Sequence, residues 1–157
     1  MLKLSIPGYK EDISIHHLVL DFNGTLAIDG KRIKGIKGAL TSISKKVQVH
    51  VLTGDTYGTA MEELKDIPCK IELLSKLNQA IQKEKYIHKI KPATVISIGN
   101  GRNDRLMLKL SVIGIIVVQK EGASAETLMA ADVVCPDIHS ALDLINNPSR
   151  LTATLRS

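Results

Sequence analysis

The stretch "LVLDFNGTLAIDG", residues 18–30, decides how this chain is read. An apolar run, Leu18-Val19-Leu20, ends on Asp21, and the chain then turns through Asn23-Gly24-Thr25. An acid at the end of such a run sits where α/β sheets present reactive side chains, because ligands bind beyond the carboxyl ends of the strands. Two residues on, where a second acid would complete a pair, stands the amide Asn23. The following "LAIDGKRIKG" carries Asp29-Gly30 between two short runs, which signals a tight hairpin.

Working outward, short apolar, β-branched runs alternate with helix-like segments. Strands are predicted over Leu2–Ile6, Leu18–Phe22, Val47–Thr53, Lys70–Leu73, Thr94–Ile98, Val112–Val118 and Asp132–Cys135. Helices are predicted over Lys37–Lys46, Tyr57–Lys65, Leu77–Ile90, Arg105–Leu110, Ala123–Ala130 and Ser140–Asn146. In the third helix Leu77, Ile81, Tyr86, Ile87 and Ile90 recur at helical spacing and give it one apolar face. The alternation predicts an α/β fold, a Rossmann-like three-layer sandwich around a mostly parallel central sheet. At 157 residues the chain suits a single domain over residues 1–157, with a tail from Pro148 onward that frays.

Composition narrows the function classes. Aromatic residues make up 3% of the chain and Trp is absent, so the core is aliphatic and no base-stacking platform for nucleic acid is expected. The net charge of +5 comes mostly from scattered lysines, which reads as a solvated surface whose sign also favours anionic substrates. Cys69 and Cys135 lie far apart with no CxxC and no adjacent His, as free thiols in a reducing compartment do. No apolar segment of signal-peptide length precedes Pro7-Gly8. The longest apolar stretch, "VIGIIVV" at 112–118, falls well short of the ~20 residues that span a bilayer. These features predict a cytoplasmic protein with no membrane partner.

Three predicted strands run into polar, Gly-containing turns: Asp21-Phe22-Asn23-Gly24-Thr25, Thr53-Gly54-Asp55, and Gly99-Asn100-Gly101-Arg102-Asn103-Asp104. In this order they resemble the motifs of the haloacid dehalogenase superfamily of phosphotransferases. "DFNGTL" looks like the first motif, "HVLTGD" the second and "GNGRND" the fourth. For the third, a lysine opening a helix, Lys83 is preferred over Lys76 and Lys85 because Ile87 and Ile90 follow it at helical spacing. "EGASAETLMAADVV", residues 121–134, is similar to the segment after the fourth motif, so the resemblance covers nearly the whole chain. Within the superfamily, Thr53-Gly54-Asp55 and the Gly-rich Asn-Asp turn look most like the phosphorylation domain of P-type ATPases and small soluble proteins similar to it.

The resemblance implies a role for each residue. Asp21 would be the nucleophile, forming an aspartyl-phosphate. Mg²⁺ would be held by Asp21, Asp104 and the main-chain carbonyl of Asn23. Thr53, the amide of Gly54 and Lys83 would bind phosphate oxygens, and Gly24 and Gly101 would let the backbone come close. Asn23 occupies the acid–base position, and Asn100 and Asn103 would support the metal from behind. The chain departs from the pattern at two of these places, Asn23 and Asn100, where carboxylates are usual. An amide transfers no proton at neutral pH, and losing general acid–base catalysis costs about 10²–10⁴-fold. Aryl and acyl phosphates, whose leaving groups need no proton, would suffer least.

Neither Leu26–Val47 nor Thr53–Asp104 leaves room for an inserted cap domain, which needs ~50 residues. The expectation is a capless, slow, Mg²⁺-dependent phosphatase or phosphotransferase. It would act on a phosphorylated small molecule or acyl phosphate, at a site open to water unless a neighbouring subunit of a homo-oligomer covers it. The alternative is a weakened phosphate- or partner-binding module on the same fold. A response-regulator receiver would want an acid pair after its first strand, which "KLSIPGYKED" supplies badly. Other polar residues read as structural. Asp55 suits a helix cap as well as a catalytic role. Arg102 faces solvent, His16 and His17 have no partner at ligand spacing, and His50 packs within a strand or is exposed by alternation.

Overall fold

The computed structural model describes residues 1–55 and 58–157. The chain opens with β1 (Leu2–Leu4), β2 (Ile13–Ile15) and β3 (His17–Asp21), followed by a hairpin of β4 (Ala27–Ile28) and β5 (Lys31–Arg32). Next come α1 (Ile36–Ser44), β6 (Gln48–Thr53), α2 (Ala60–Leu64), β7 (Lys70–Leu73) and α3 (Gln79–Lys89). β8 (Val95–Gly99), α4 (Arg105–Leu110), β9 (Ile113–Val117), α5 (Ala125–Leu128) and β10 (Val133–Cys135) continue the alternation. The chain then closes with α6 (Ile138–Asn146) and α7 (Pro148–Leu155).

Six strands form one parallel sheet in the order β10-β9-β8-β3-β6-β7. β8 and β9 are buried along their whole length, as strands covered on both faces must be. Side chains alternate across the sheet. Leu18, Leu20, Val49 and Val51 pack with Leu40, Leu142 and Ile145 of α1 and α6, whereas Val19 and Leu52 pack with Tyr86, Ile87 and Leu108 of α3 and α4. The result is a three-layer α/β sandwich without a cap. Residues 22–47 hold only the hairpin, α1 and their connections. Both hairpin-turn residues have positive φ (51° at Asp29, 74° at Gly30), the conformation that Asp-Gly favours in a two-residue turn.

The ends of the chain depart from the sequence reading. The first strand does not enter the central sheet; β1 pairs antiparallel with β2 in a separate ribbon. Leu2, Leu4, Ile13 and Ile15 of that ribbon are all buried in the core, so packing decides where it goes. The fraying expected after Pro148 is replaced by α7. Proline at its first turn, the buried Leu151, an Arg150–Asp143 ion pair and a Ser157 N–H donated to the Pro7 carbonyl hold it down. α6 begins at Ile138 rather than Ser140 because Asp137 caps it, accepting from the Ser140 N–H at 2.7 Å. The predicted start of the second helix at Tyr57 lies outside the described residues.

Gly114 of β9 marks where α4 comes closest to the sheet. A Cβ there would stand 2.4 Å from the Leu108 carbonyl oxygen, which belongs to backbone and cannot swing aside. Gly114→Ala is therefore expected to destabilise the fold by about 1–3 kcal/mol. An unchanged urea midpoint would show that α4 does not sit this close to β9.

Candidate active site

The sheet register brings the motif residues to one edge. Asp21 ends β3 and pairs with Leu52, next to Thr53 at the end of β6; on the other side Leu20 pairs with Ile98, next to Gly99 at the end of β8. From above, α3 sends in Lys83. Its side chain is fully buried and its ammonium lies 2.6 Å from Asp21 Oδ1 and 2.6 Å from Asp104 Oδ1. Lys76 and Lys85 are exposed.

Asp104 is held from both sides. Its second oxygen accepts the N–H groups of Asn100 at 3.0 Å and Gly101 at 2.9 Å. The fit depends on Gly99, where a Cβ would stand 2.5 Å from the Asp104 carboxyl carbon. Burial, and after it the Asp104 charge, pushes the Asp21 carboxyl up to about 7 against the pull of Lys83. Burial alone would lower the Lys83 ammonium, but Asp104 and Asp21 together outweigh it and raise it instead. Burial raises the one and opposes the other, while the Asp104 charge adds to both shifts.

The turn after β3 is a tight knot. The Phe22 carbonyl accepts from the N–H groups of Leu26 at 2.8 Å and Ala27 at 2.9 Å, and Gly24 N–H donates to the Ala27 carbonyl at 2.7 Å. Gly24 has φ 80° and faces the Asn100 amide so closely that a Cβ would meet it at 2.4 Å. Asn100 is engaged at both ends of its amide, accepting from the Thr25 hydroxyl at 3.4 Å and donating to the Gly122 carbonyl at 3.0 Å. Asn23 differs, because its side-chain oxygen is buried with no hydrogen-bond partner among the described residues.

Thr53 is buried, and its hydroxyl oxygen accepts the Asp55 N–H at 2.9 Å. Asp55, at φ 46°, accepts from the Ala60 N–H at 2.9 Å, so its carboxylate serves the first turn of α2. Asn103 donates to Gln79 Oε1 at 2.8 Å and so ties the loop after β8 to the start of α3. A Cβ at Gly54 would stand 2.2 Å from Gln79 Nε2, which places Gln79 directly over the Gly54 backbone. Gln119 donates to the carbonyls of Gly24 at 2.9 Å and Thr25 at 3.0 Å while accepting from Ile138 N–H.

Gly99, Gln79 and Gln119 escape the sequence reading. For Gly99 a signal existed, since it opens the same turn that yielded Gly101. The two glutamines offer none, because each acts across a long sequence separation. Arg102 is exposed and pairs with Glu126 at 3.1 Å.

Among the described residues no group of three or more His, Cys, Asp or Glu side chains gathers as a metal cluster. What the site offers is a pair of hard oxygen donors, the Asp21 and Asp104 carboxylates on one cation. That donor set fits a divalent cation of the Mg²⁺ type. No helix among the described residues is long and apolar enough to cross a membrane.

No protein-family model matches the chain. The uncharacterized protein MJ0073 of Methanocaldococcus jannaschii is 42% identical over 83 residues, covering 50% of this chain and 89% of that protein. A second uncharacterized protein of that organism, MJ0072, is 41% identical over 39 residues, or 25% of this chain and 89% of that protein. Among solved structures, the 3-deoxy-D-manno-octulosonate 8-phosphate phosphatase of Moraxella catarrhalis, in complex with magnesium, phosphate and KDO, superposes with a TM-score of 0.70. It is 14% identical and covers 90% of this chain and 94% of that one. The cobalt-bound deoxy-D-mannose-octulosonate 8-phosphate phosphatase of Haemophilus influenzae gives a TM-score of 0.71 at 15% identity, over 92% and 94% of the two chains. The chain thus belongs to the family of the archaeal MJ0073 protein and carries the capless haloacid dehalogenase fold.

Proposed function

We propose that the chain is a Mg²⁺-dependent phosphatase or phosphotransferase that works through an aspartyl-phosphate on Asp21. The observation that carries this reading is the convergence of Asp21, Lys83 and Asp104, all buried, at the carboxyl edge of the sheet. Asp21 attacks phosphorus in line with the departing oxygen, and the phosphoryl group passes from substrate to carboxylate. Lys83, Thr53 and the Gly54 N–H bind the phosphoryl oxygens, where they stabilise charge in the transition state. Mg²⁺, held by Asp21, Asp104 and the Asn23 carbonyl, would cancel the repulsion between the nucleophile and a phosphate dianion. Asn100 and Asn103 hold the surrounding loops through Gly24, Gly122 and Gln79 and take no part in proton transfer.

Asn23 sets the rate. Its unpaired, buried oxygen accepts a hydrogen bond from an incoming O–H but removes no proton. Hydrolysis of the phosphoenzyme is slow, and esters with good leaving groups, such as aryl or acyl phosphates, are the favoured substrates. The setting is cytoplasmic, in keeping with the free Cys69 and Cys135. A second reading, a non-hydrolytic phosphate- or partner-binding module, draws support from the same amide.

p-Nitrophenyl phosphate hydrolysis with Mg²⁺ tests both. Turnover that Asp21→Asn abolishes supports the enzyme; unchanged activity in that variant rules out Asp21 as nucleophile. Asn23→Asp is expected to raise turnover, up to about 10²-fold and more for alkyl than for aryl esters. Turnover that appears only in Asn23→Asp favours the binding module. Lys83 also holds two buried acids together. In EDTA, Lys83→Met is expected to lose about 3–5 kcal/mol in urea denaturation. A loss below ~1 kcal/mol would mean that the carboxylates do not depend on it.

A further inference from the structure

The three elements that carry the proposed chemistry are also joined farther along the same face of the sheet, away from the carboxyl edge. His17 Nδ1 of β3 lies 3.0 Å from His50 Nε2 of β6, and His50 Nδ1 lies 2.9 Å from the Tyr86 hydroxyl of α3. On β3, His17 stands on the same face as Asp21; on β6, His50 precedes Thr53; on α3, Tyr86 follows Lys83 by about one turn. His50 is 2% exposed and Tyr86 8%.

Polar rings at such positions cost free energy unless they satisfy one another. Here they do. If Tyr86 donates to His50 Nδ1, the His50 Nε2–H donates to His17 Nδ1, and the reversed chain serves equally well. Burial first, then the charges of His17 and Lys70, keeps His50 neutral down to about 4; burial and His16 lower His17. Lys70 Nζ lies 5.7 Å from the centre of the Tyr86 ring and steadies its other side.

α3 is therefore tied at three heights: by Gln79 to Asn103 at its start, by Lys83 to both carboxylates, and by Tyr86 to His50 near its end. A helix held only at its first turn is free to roll or slide, and a shift of about 1 Å at a reacting group costs up to ~10²-fold in rate. We propose that His50, bridging His17 and Tyr86, is a positioning residue: the ring chain fixes α3 against β3 and β6 so that Lys83 stays between Asp21 and Asp104. The proposal rests on the reading of Lys83 as a phosphate ligand.

Tyr86→Phe keeps the ring and removes the link, while His50→Leu removes both hydrogen bonds. Two readouts are needed: kcat and KM for p-nitrophenyl phosphate with Mg²⁺, and labelling of Lys83 by reductive methylation of the folded protein, located by mass spectrometry. In the unaltered chain Lys83 is fully buried and resists labelling. Tyr86→Phe is expected to lower kcat about 10-fold, to leave KM within ~2-fold, and to let Lys83 be labelled. The double variant should match His50→Leu alone, because the chain acts as one unit. Tyr86→Phe keeps the test open if His50→Leu does not fold.

Lys83 still protected in Tyr86→Phe overturns the proposal, whether or not kcat falls. So does unchanged kcat in an active protein, whatever happens to Tm. Absence of turnover in the unaltered chain would strike the enzymatic reading alone, and the labelling would still decide this one.

Discussion

The structure turns on one buried cation between two buried acids. Lys83 reaches in from α3, Asp21 from the end of β3 and Asp104 from the loop after β8, and the ammonium sits 2.6 Å from each acid. Taking three charges out of water is costly, and apolar residues of similar size would hold a sheet and helix together at least as well. The surroundings offset that cost with particular devices. Gly99 leaves the space that the Asp104 carboxyl fills, and the N–H groups of Asn100 and Gly101 satisfy its second oxygen. Burial and the neighbouring Asp104 make the Asp21 carboxyl hard to ionise here, a condition that a further cation would relieve.

The two amides that replace expected acids do different physical work. Asn100 is matched to its surroundings: its oxygen accepts from Thr25, its nitrogen donates to the Gly122 carbonyl, and its face covers Gly24. A carboxylate there would set an oxygen against the Gly122 carbonyl with no proton between them. The Asn23 side-chain oxygen is different: it is buried and has no partner among the described residues. A buried, unpaired acceptor two residues after Asp21 carries a free-energy cost that a donor reaching it would remove. One amide is thus bound into the architecture and the other leaves a buried oxygen unmatched among the described residues, although both stand where the motifs resembled carry carboxylates.

What was legible in the sequence was what local rules encode. The central strands showed as apolar runs, the hairpin as Asp29-Gly30, and Lys83 through the helical spacing of Ile87 and Ile90. The structure brings Asp21, Lys83 and Asp104 to one point and sets Thr53 beside them. Long-range registration hid the rest. β2 is three residues long and exists only because β1 pairs with it. α7 depends on burying Leu151 and on the Arg150–Asp143 pair. Gln79 and Gln119 act through partners 24 and 95 residues away. His17 and His50 showed no ligand spacing because their partner is each other, across two strands.

The alternation of a β-strand also explains how one face of the sheet carries two polar layers without one weakening the other. On β3, His17, Val19 and Asp21 point the same way, and on β6 His50 and Leu52 do. Val19, in register with His50, and Leu52, in register with Asp21, are fully buried and pack with Tyr86, Ile87 and Leu108, so both polar groups lie among apolar side chains. That packing keeps the local dielectric low, which strengthens the attraction of Lys83 for its two acids and raises the cost of any displacement that would leave one unpaired. The neutral chain below is linked to the charged site above through rigid elements: two strands in fixed register and about one turn of α3.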